Sequence, residues 1–143
     1  MRLSIGCSPN EQVDIIVNQY QHSLSGESFD DNWLLCSVSV SFGSFSGKFP
    51  VSLQTYDFIK FSKEMQKLYD CLLGTATFDS LEGQLEINLI GNGRGGIKLE
   101  GKCMDTAGVG NELRFSTEFD QTYLQSIIDD LDDILKGYPE RAL

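Results

Sequence analysis

Leu34-Leu35-Cys36-Ser37-Val38-Ser39-Val40-Ser41-Phe42 is the stretch whose reading decides the fold. Leu34, Cys36, Val38, Val40 and Phe42 fall on one side, and Leu35, Ser37, Ser39 and Ser41 on the other. Successive side chains of a strand project to opposite faces, so this period of two describes a strand with one buried face. Gly43-Ser44 turns the chain. Phe45, Gly47, Phe49, Val51 and Leu53 then alternate with Ser46, Lys48, Pro50 and Ser52, as the return arm of a hairpin. Pro50 has no N–H for a ladder, which places this arm at an edge or at an irregularity.

Upstream, Val13, Ile15 and Val17 alternate with polar residues and predict an earlier strand. Residues 23–31 read as a loop, and residues 1–10 show too little period to be expected in anything but a loose segment. Downstream, Phe58, Phe61, Met65, Leu68 and Leu72 recur at helical spacing, with Lys60, Lys63, Lys67 and Asp70 opposite. Thr55 reads as the N-cap, Asp57 lies in the first turn where an anion is favoured, and Gly74 reads as the stop. Leu85, Ile87 and Leu89, then Ile97, Leu99, Gly101 and Cys103, then Leu113, Phe115, Thr117 and Phe119 mark three further strands, with a short extra one at residues 75–78. Asp120 caps a final helix from about residue 121 to residue 136, closed by Gly137 and Pro139. Short loops favour antiparallel pairing, and one apolar stripe per helix must be buried on the sheet. The expectation is an α+β fold: a mainly antiparallel sheet of about five to seven strands with two helices packed on it, in the order β-β-β-α-β-β-β-α. Both halves end in strand, cap, helix and glycine, which is common grammar and does not by itself argue duplication.

The 143 residues fit a single domain, 1–143, and 41% apolar residues supply a core without staples. No apolar run approaches the roughly 18 residues of a membrane span. Residues 1–7 lack the apolar stretch and cleavage site of a signal peptide, so the expected location is cytoplasmic. Cys7, Cys36, Cys71 and Cys103 are spread without a CxxC pair, and Cys36 on the apolar face of its strand reads as a buried free thiol. A formal net charge of -10 repels phosphates and anionic lipid, so neither nucleic acid nor membrane is expected as a partner. It would steer a basic partner at low salt, although solubility alone accounts for acidity as well.

Chemistry-bearing motifs are few. Gly91-Asn92-Gly93-Arg94-Gly95-Gly96 matches GxGxxG, but a dinucleotide site needs a helix after the glycines and Ile97-Lys98-Leu99-Glu100 reads as a strand; the glycines belong to a hairpin turn. The only histidine, His22, has no ligand-type residue at metal spacing, and no serine lies in a GxSxG elbow. No catalytic residue, metal or cofactor is expected. The most informative feature is Asp129-Asp130-Leu131-Asp132-Asp133. At about 100° per residue the aspartates Asp129, Asp130, Asp132 and Asp133 share an arc of roughly 160°, opposite Leu124, Ile127, Ile128, Leu131, Ile134 and Leu135. Aspartate is a poor mid-helix residue, Asp129 and Asp133 repel at i,i+4, and the last two lie near the negative end of the helix dipole. A locally unfavourable choice marks these four residues as candidates for partner binding, with plain solvation as the equal alternative because each penalty is small. Trp33, the only tryptophan, follows Asp30-Asp31-Asn32; it reads as a core-edge residue with its ring N–H bonded, and otherwise as an exposed contact residue beside acids.

Asp31-Asn32-Trp33-Leu34, the Ser/Val strand, the helix from Thr55, the segment Leu85 to Gly96, and Phe119-Asp120-Gln121-Thr122-Tyr123-Leu124 before a helix ending near Pro139 together resemble the WapI-like immunity proteins over about residues 12–139. The resemblance implies a bacterial protein, not an enzyme, that binds and blocks a cognate toxin domain, often a nuclease. Ala76-Thr77-Phe78-Asp79-Ser80 stands where better-known members carry an acidic-Pro-Asn segment. The family pattern contains no catalytic set to carry over. A basic nuclease would meet the acidic helix with fast, salt-sensitive association. The other classes in play are a small-ligand protein or enzyme with a pocket between sheet and helices, and a homo-oligomer formed through an uncovered sheet edge.

Overall fold

The computed structural model describes residues 1–141. The chain is α+β, with eight strands in two antiparallel four-stranded meanders where a single sheet of five to seven was expected. The first sheet comprises β1 (Arg2–Ser8), β2 (Glu11–Tyr20), β3 (Trp33–Phe42) and β4 (Phe45–Gln54), in that order. A short helix α1 (Ser28–Asp31) interrupts the β2–β3 connection. Helix α2 (Thr55–Cys71) then leads to the second sheet, β5 (Leu73–Asp79), β6 (Leu85–Asn92), β7 (Gly96–Met104) and β8 (Glu112–Asp120). A 3-10 turn (Gln121–Tyr123) runs into α3 (Leu124–Gly137).

Residues 1–10, expected to be loose, supply β1. Leu3 and Ile5 are its only buried apolar residues, too few to declare a period, and pairing with Ile15 and Val13 of β2 makes the strand. Residues 23–31, read as a loop, end in α1. The quoted alternation holds throughout β3: Leu34, Cys36, Val38 and Val40 are buried, while Trp33, Leu35 and the serines lie on the outer face. Pro50 pairs with Ser37 on β4, the last strand of its sheet, as its missing N–H required. Proline and the neighbouring Lys48 guard that edge against further pairing. Phe115 of β8 lies over Gly101 of β7, which has no side chain to displace it, and stacks on Phe42 of β3 at 4.4 Å, joining the two sheets.

Two helix ends differ from expectation. Thr55 is the first helical residue and is buried, its hydroxyl donating to the Asn32 carbonyl at 3.3 Å; the cap position is Gln54, whose N–H donates to Asp57 at 2.9 Å. At the other end Leu72, not Gly74, takes the left-handed conformation at φ 59°. Its carbonyl accepts from the Gly93 N–H at 2.7 Å, so a tertiary contact holds a backbone state that local preference disfavours.

The helices are exchanged between halves. α2 leaves β4 and packs along β5, the first strand of the second sheet; α3 leaves β8 and packs along β1, the first strand of the first. Each covers an edge, and each supplies a carboxylate to an edge N–H. Ser4 of β1 donates to Asp130 of α3, and Thr77 of β5 donates to Glu64 of α2, both at 3.1 Å. The same two residues send their hydroxyls to their cross-strand partners, Ser4 to Asp14 at 2.6 Å and Thr77 to Asn88 at 2.7 Å. The likeness between the halves is thus architectural: a meander, a helix, and an acid that closes the other half's edge.

Candidate interaction surface

Helix α3 buries Leu124, Ile127, Ile128, Leu131 and Ile134, so its aspartates must lie on the other side. The structure divides the four. Asp129, Asp132 and Asp133 are exposed, and Asp130 is half-buried against β1. Its bond from Ser4 closes a strand edge. Burial, followed by the carboxylates of Asp133, Asp129 and Asp14, pushes the Asp130 carboxyl above its ordinary range, against the opposing pull of the Ser4 N–H. Asp129 accepts from the Gln125 side chain one turn back at 2.9 Å. Among the described residues, the ion pairs are Lys60–Glu64, Lys98–Glu100, Lys102–Glu86 and Arg114–Glu112; none includes a ridge aspartate, and Lys136 is the basic residue in the last turn of the same helix.

The aromatic end of the first sheet also differs from expectation. Trp33 is half-buried on the outer face, with its ring edge-to-face against Phe29 of α1 at 5.5 Å. Among the described residues the indole N–H donates no hydrogen bond to the protein, contrary to the bonded core-edge role expected of it. Phe29 is 60% exposed. This pairing was missed because residues 23–31 read as a loop, and it is α1 that brings Phe29 to Trp33.

Other candidates take their structural places. The glycine-rich segment is the β6–β7 turn, with Gly93 at φ 83° and Gly95 at φ 98°, and with Asn92 accepting from the N–H groups of Arg94 and Gly96. His22 is exposed, and its carbonyl accepts from Arg141. The four cysteines are free, and burial pushes the Cys36 thiol up to about 12. Among the described residues no cluster of His, Cys, Asp or Glu is arranged to hold a metal, and no helix is long and apolar enough to cross a membrane. A cavity of about 470 Å³ opens on the outer face of the second sheet, where Lys102 already pairs with Glu86. Another of about 390 Å³, between the end of α2 and the start of α3, is lined by Tyr69, Leu72, Gln121, Thr122 and Gln125.

A family model for the WapI-like immunity proteins matches residues 4–139. The chain belongs to the WapI-like immunity protein family. Membership implies action through a partner protein, and the family is one of inhibitors. No curated protein sequence matches this WapI-like chain. Among solved structures, that of the plant transcriptional regulator PBF-2 is similar, with a TM-score of 0.53 at 8% identity, covering 96% of this chain and 81% of that one. At that identity the likeness is one of fold alone.

Proposed function

We propose that this WapI-like immunity protein neutralises a cognate toxin domain in the bacterial cytoplasm by binding it through the α3 ridge of Asp129, Asp132 and Asp133, with Asp130 at its inner margin. The toxin domain presents a basic surface, as a nuclease does where it holds phosphate. One comparison within the molecule supports this reading. Helices α2 and α3 occupy matching places, and the architecture uses one outward acid on each, Glu64 and Asp130. Beyond that acid, α2 turns Lys60, Lys63, Lys67 and Asp70 outward, while α3 turns Asp129, Asp132, Asp133 and Lys136; among the described residues none of these three α3 aspartates is in an ion pair. The fold accepts either sign there, so the acidic choice on α3 is free to serve a partner. Unpaired exposed charges act mainly on the rate of encounter and its salt dependence.

The test reads the open reading frame upstream of this chain for a toxin with a variable C-terminal domain, and follows binding of that domain by calorimetry and stopped flow across a salt series. Charge reversal at Asp129, Asp132 and Asp133 should slow association by roughly tenfold or more at low salt and flatten its salt dependence. An unchanged rate and slope in the triple variant would remove the ridge from the mechanism.

A further inference from the structure

Phe29 is a large apolar side chain on a four-residue helix, 60% exposed, and folding gains little from leaving it there. The backbone beneath it is nevertheless held firmly. The Asp31 carboxylate, from a residue that is buried, accepts from the Ser25 N–H, the Ser25 hydroxyl and the Gly26 N–H. Asn32 exchanges two bonds with the Arg141 backbone at 2.7 and 2.9 Å. The Arg141 guanidinium donates to the carbonyls of Asp31 and His22 and lies 3.6 Å from the centre of the Tyr20 ring. The segment after α3 therefore straps α1 to the end of β2, and Phe29 and Trp33 stand on a braced platform. A braced aromatic pair, with Phe29 exposed and Trp33 half-buried and its indole N–H unpartnered among the described residues, has the makeup of an interface hot spot: large contact area with little entropy left to lose.

The charges around the pair select the occupant. Glu27 and Asp30 flank Phe29, both are exposed, and neither is in an ion pair among the described residues. The cation bound to this platform, Arg141, is already engaged. A second copy of this chain would bring a further net charge of -10 to an acidic rim. A basic surface whose lysine or arginine can lie on an aromatic face and pair with Asp30 or Glu27 fits both features.

We propose that the Phe29–Trp33 pair, rimmed by Glu27 and Asp30, is a second contact for the same basic toxin domain, with Trp33 as its anchor. This inference rests on the immunity reading above. The ridge governs how fast the toxin arrives, and the aromatic pair governs how long it stays.

Trp33 is the only tryptophan in the chain, so 5-fluorotryptophan gives the full-length protein a single ¹⁹F resonance. The toxin domain tested above is titrated into this protein and into Phe29→Ser and Trp33→Phe variants, with circular dichroism confirming their fold. Phe29→Ser alters an exposed side chain, and Trp33→Phe keeps a ring against Phe29. The expected result is a shifted resonance on toxin binding and dissociation faster by about tenfold or more in both variants, with association little changed. If the wild type binds while the resonance stays still and both variants bind within about twofold, the aromatic contact is overturned and the ridge reading stands. Failure of the wild type to bind the toxin domain overturns both. A resonance that moves with protein concentration alone assigns the patch to self-association and also overturns the proposal.

Discussion

Asp57 offers a quantitative test of how α2 is held. Its carboxylate accepts from the Gln54 N–H in the first turn, where a negative charge is favoured. Yet burial pushes its pKa from 3.8 up to about 6, with Asp79 adding to the rise and the Gln54 N–H and Lys60 opposing it. Between these two values the native chain holds a proton that the unfolded chain has released, so stability falls as pH rises through the window and stays lower above it. At roughly 1.4 kcal/mol per pH unit the full window corresponds to about 3 kcal/mol. The side chain is only half-buried, and solvent screening brings the expectation to about 1.5 kcal/mol. Asp57→Asn keeps an oxygen for the Gln54 N–H and removes the charge, giving up roughly 0.5 kcal/mol of interaction with the helix dipole. The variant should therefore be more stable than wild type at pH 7 by about 1 kcal/mol, with roughly half of that difference opening between pH 5 and pH 7. Urea midpoints of both proteins over that range would show it as a shift of about 0.5 M at pH 7. A variant less stable than wild type at pH 7, or a difference that does not change with pH, would refute the dominance of burial over the cap.

The edge acids make a matched pair. Asp130→Ala and Glu64→Ala should each cost about 1 kcal/mol in urea unfolding, by leaving the Ser4 or Thr77 N–H without its acceptor. Asp130→Asn should be close to neutral, because it keeps an acceptor and relieves crowding with Asp129, Asp133 and Asp14. Gly101→Ala places a methyl group against the Phe115 ring and 2.9 Å from the Glu86 carbonyl oxygen. It should lower stability by about 1–3 kcal/mol and disturb the Phe42–Phe115 stack, seen as shifted aromatic resonances of both rings.

Local period was legible in the sequence, and partnership was not. The alternations at β2, β3, β4, β6, β7 and β8 and the stripes of α2 and α3 each repeat enough to declare themselves. β1 offers only Leu3 and Ile5 before Gly6, Cys7 and Pro9, and it is a strand because β2 pairs with it. The division into two sheets leaves no local trace, since β4 and β5 would alternate alike within one sheet or in two. Leu72 adopts its left-handed conformation because Gly93, far along the chain, takes its carbonyl. The four aspartates were legible as one acidic face, but no sequence pattern could separate Asp130, which meets Ser4 across 126 residues of chain, from Asp129, which meets only Gln125 on its own helix, and from Asp132 and Asp133. The aromatic pair was lost for a related reason: α1 is too short to show a period, and four residues place Phe29 against Trp33.

The separation of Asp130 from its neighbours turns the ridge into a prediction about stability as well as binding. If Asp132 and Asp133 serve a partner, replacing them should relieve the helix. Glutamine is the better helix former by roughly 0.3 kcal/mol per site, and the change also removes the i,i+4 repulsion from Asp129 and two charges near the negative helix end, each of those effects being a few tenths. Asp132→Gln/Asp133→Gln should thus be more stable than wild type by roughly 1 kcal/mol at low salt, with the gain shrinking as salt screens the charges. Association with the toxin domain should slow in the same protein. Thermal and urea unfolding at low and high salt measure the first effect, and stopped-flow association measures the second. A double variant less stable than wild type would mean that these carboxylates support the fold through contacts of their own, and the ridge would then need no partner to explain it. A more stable protein that associates slowly is the opposite pattern, in which a functional surface is kept at the expense of its own helix.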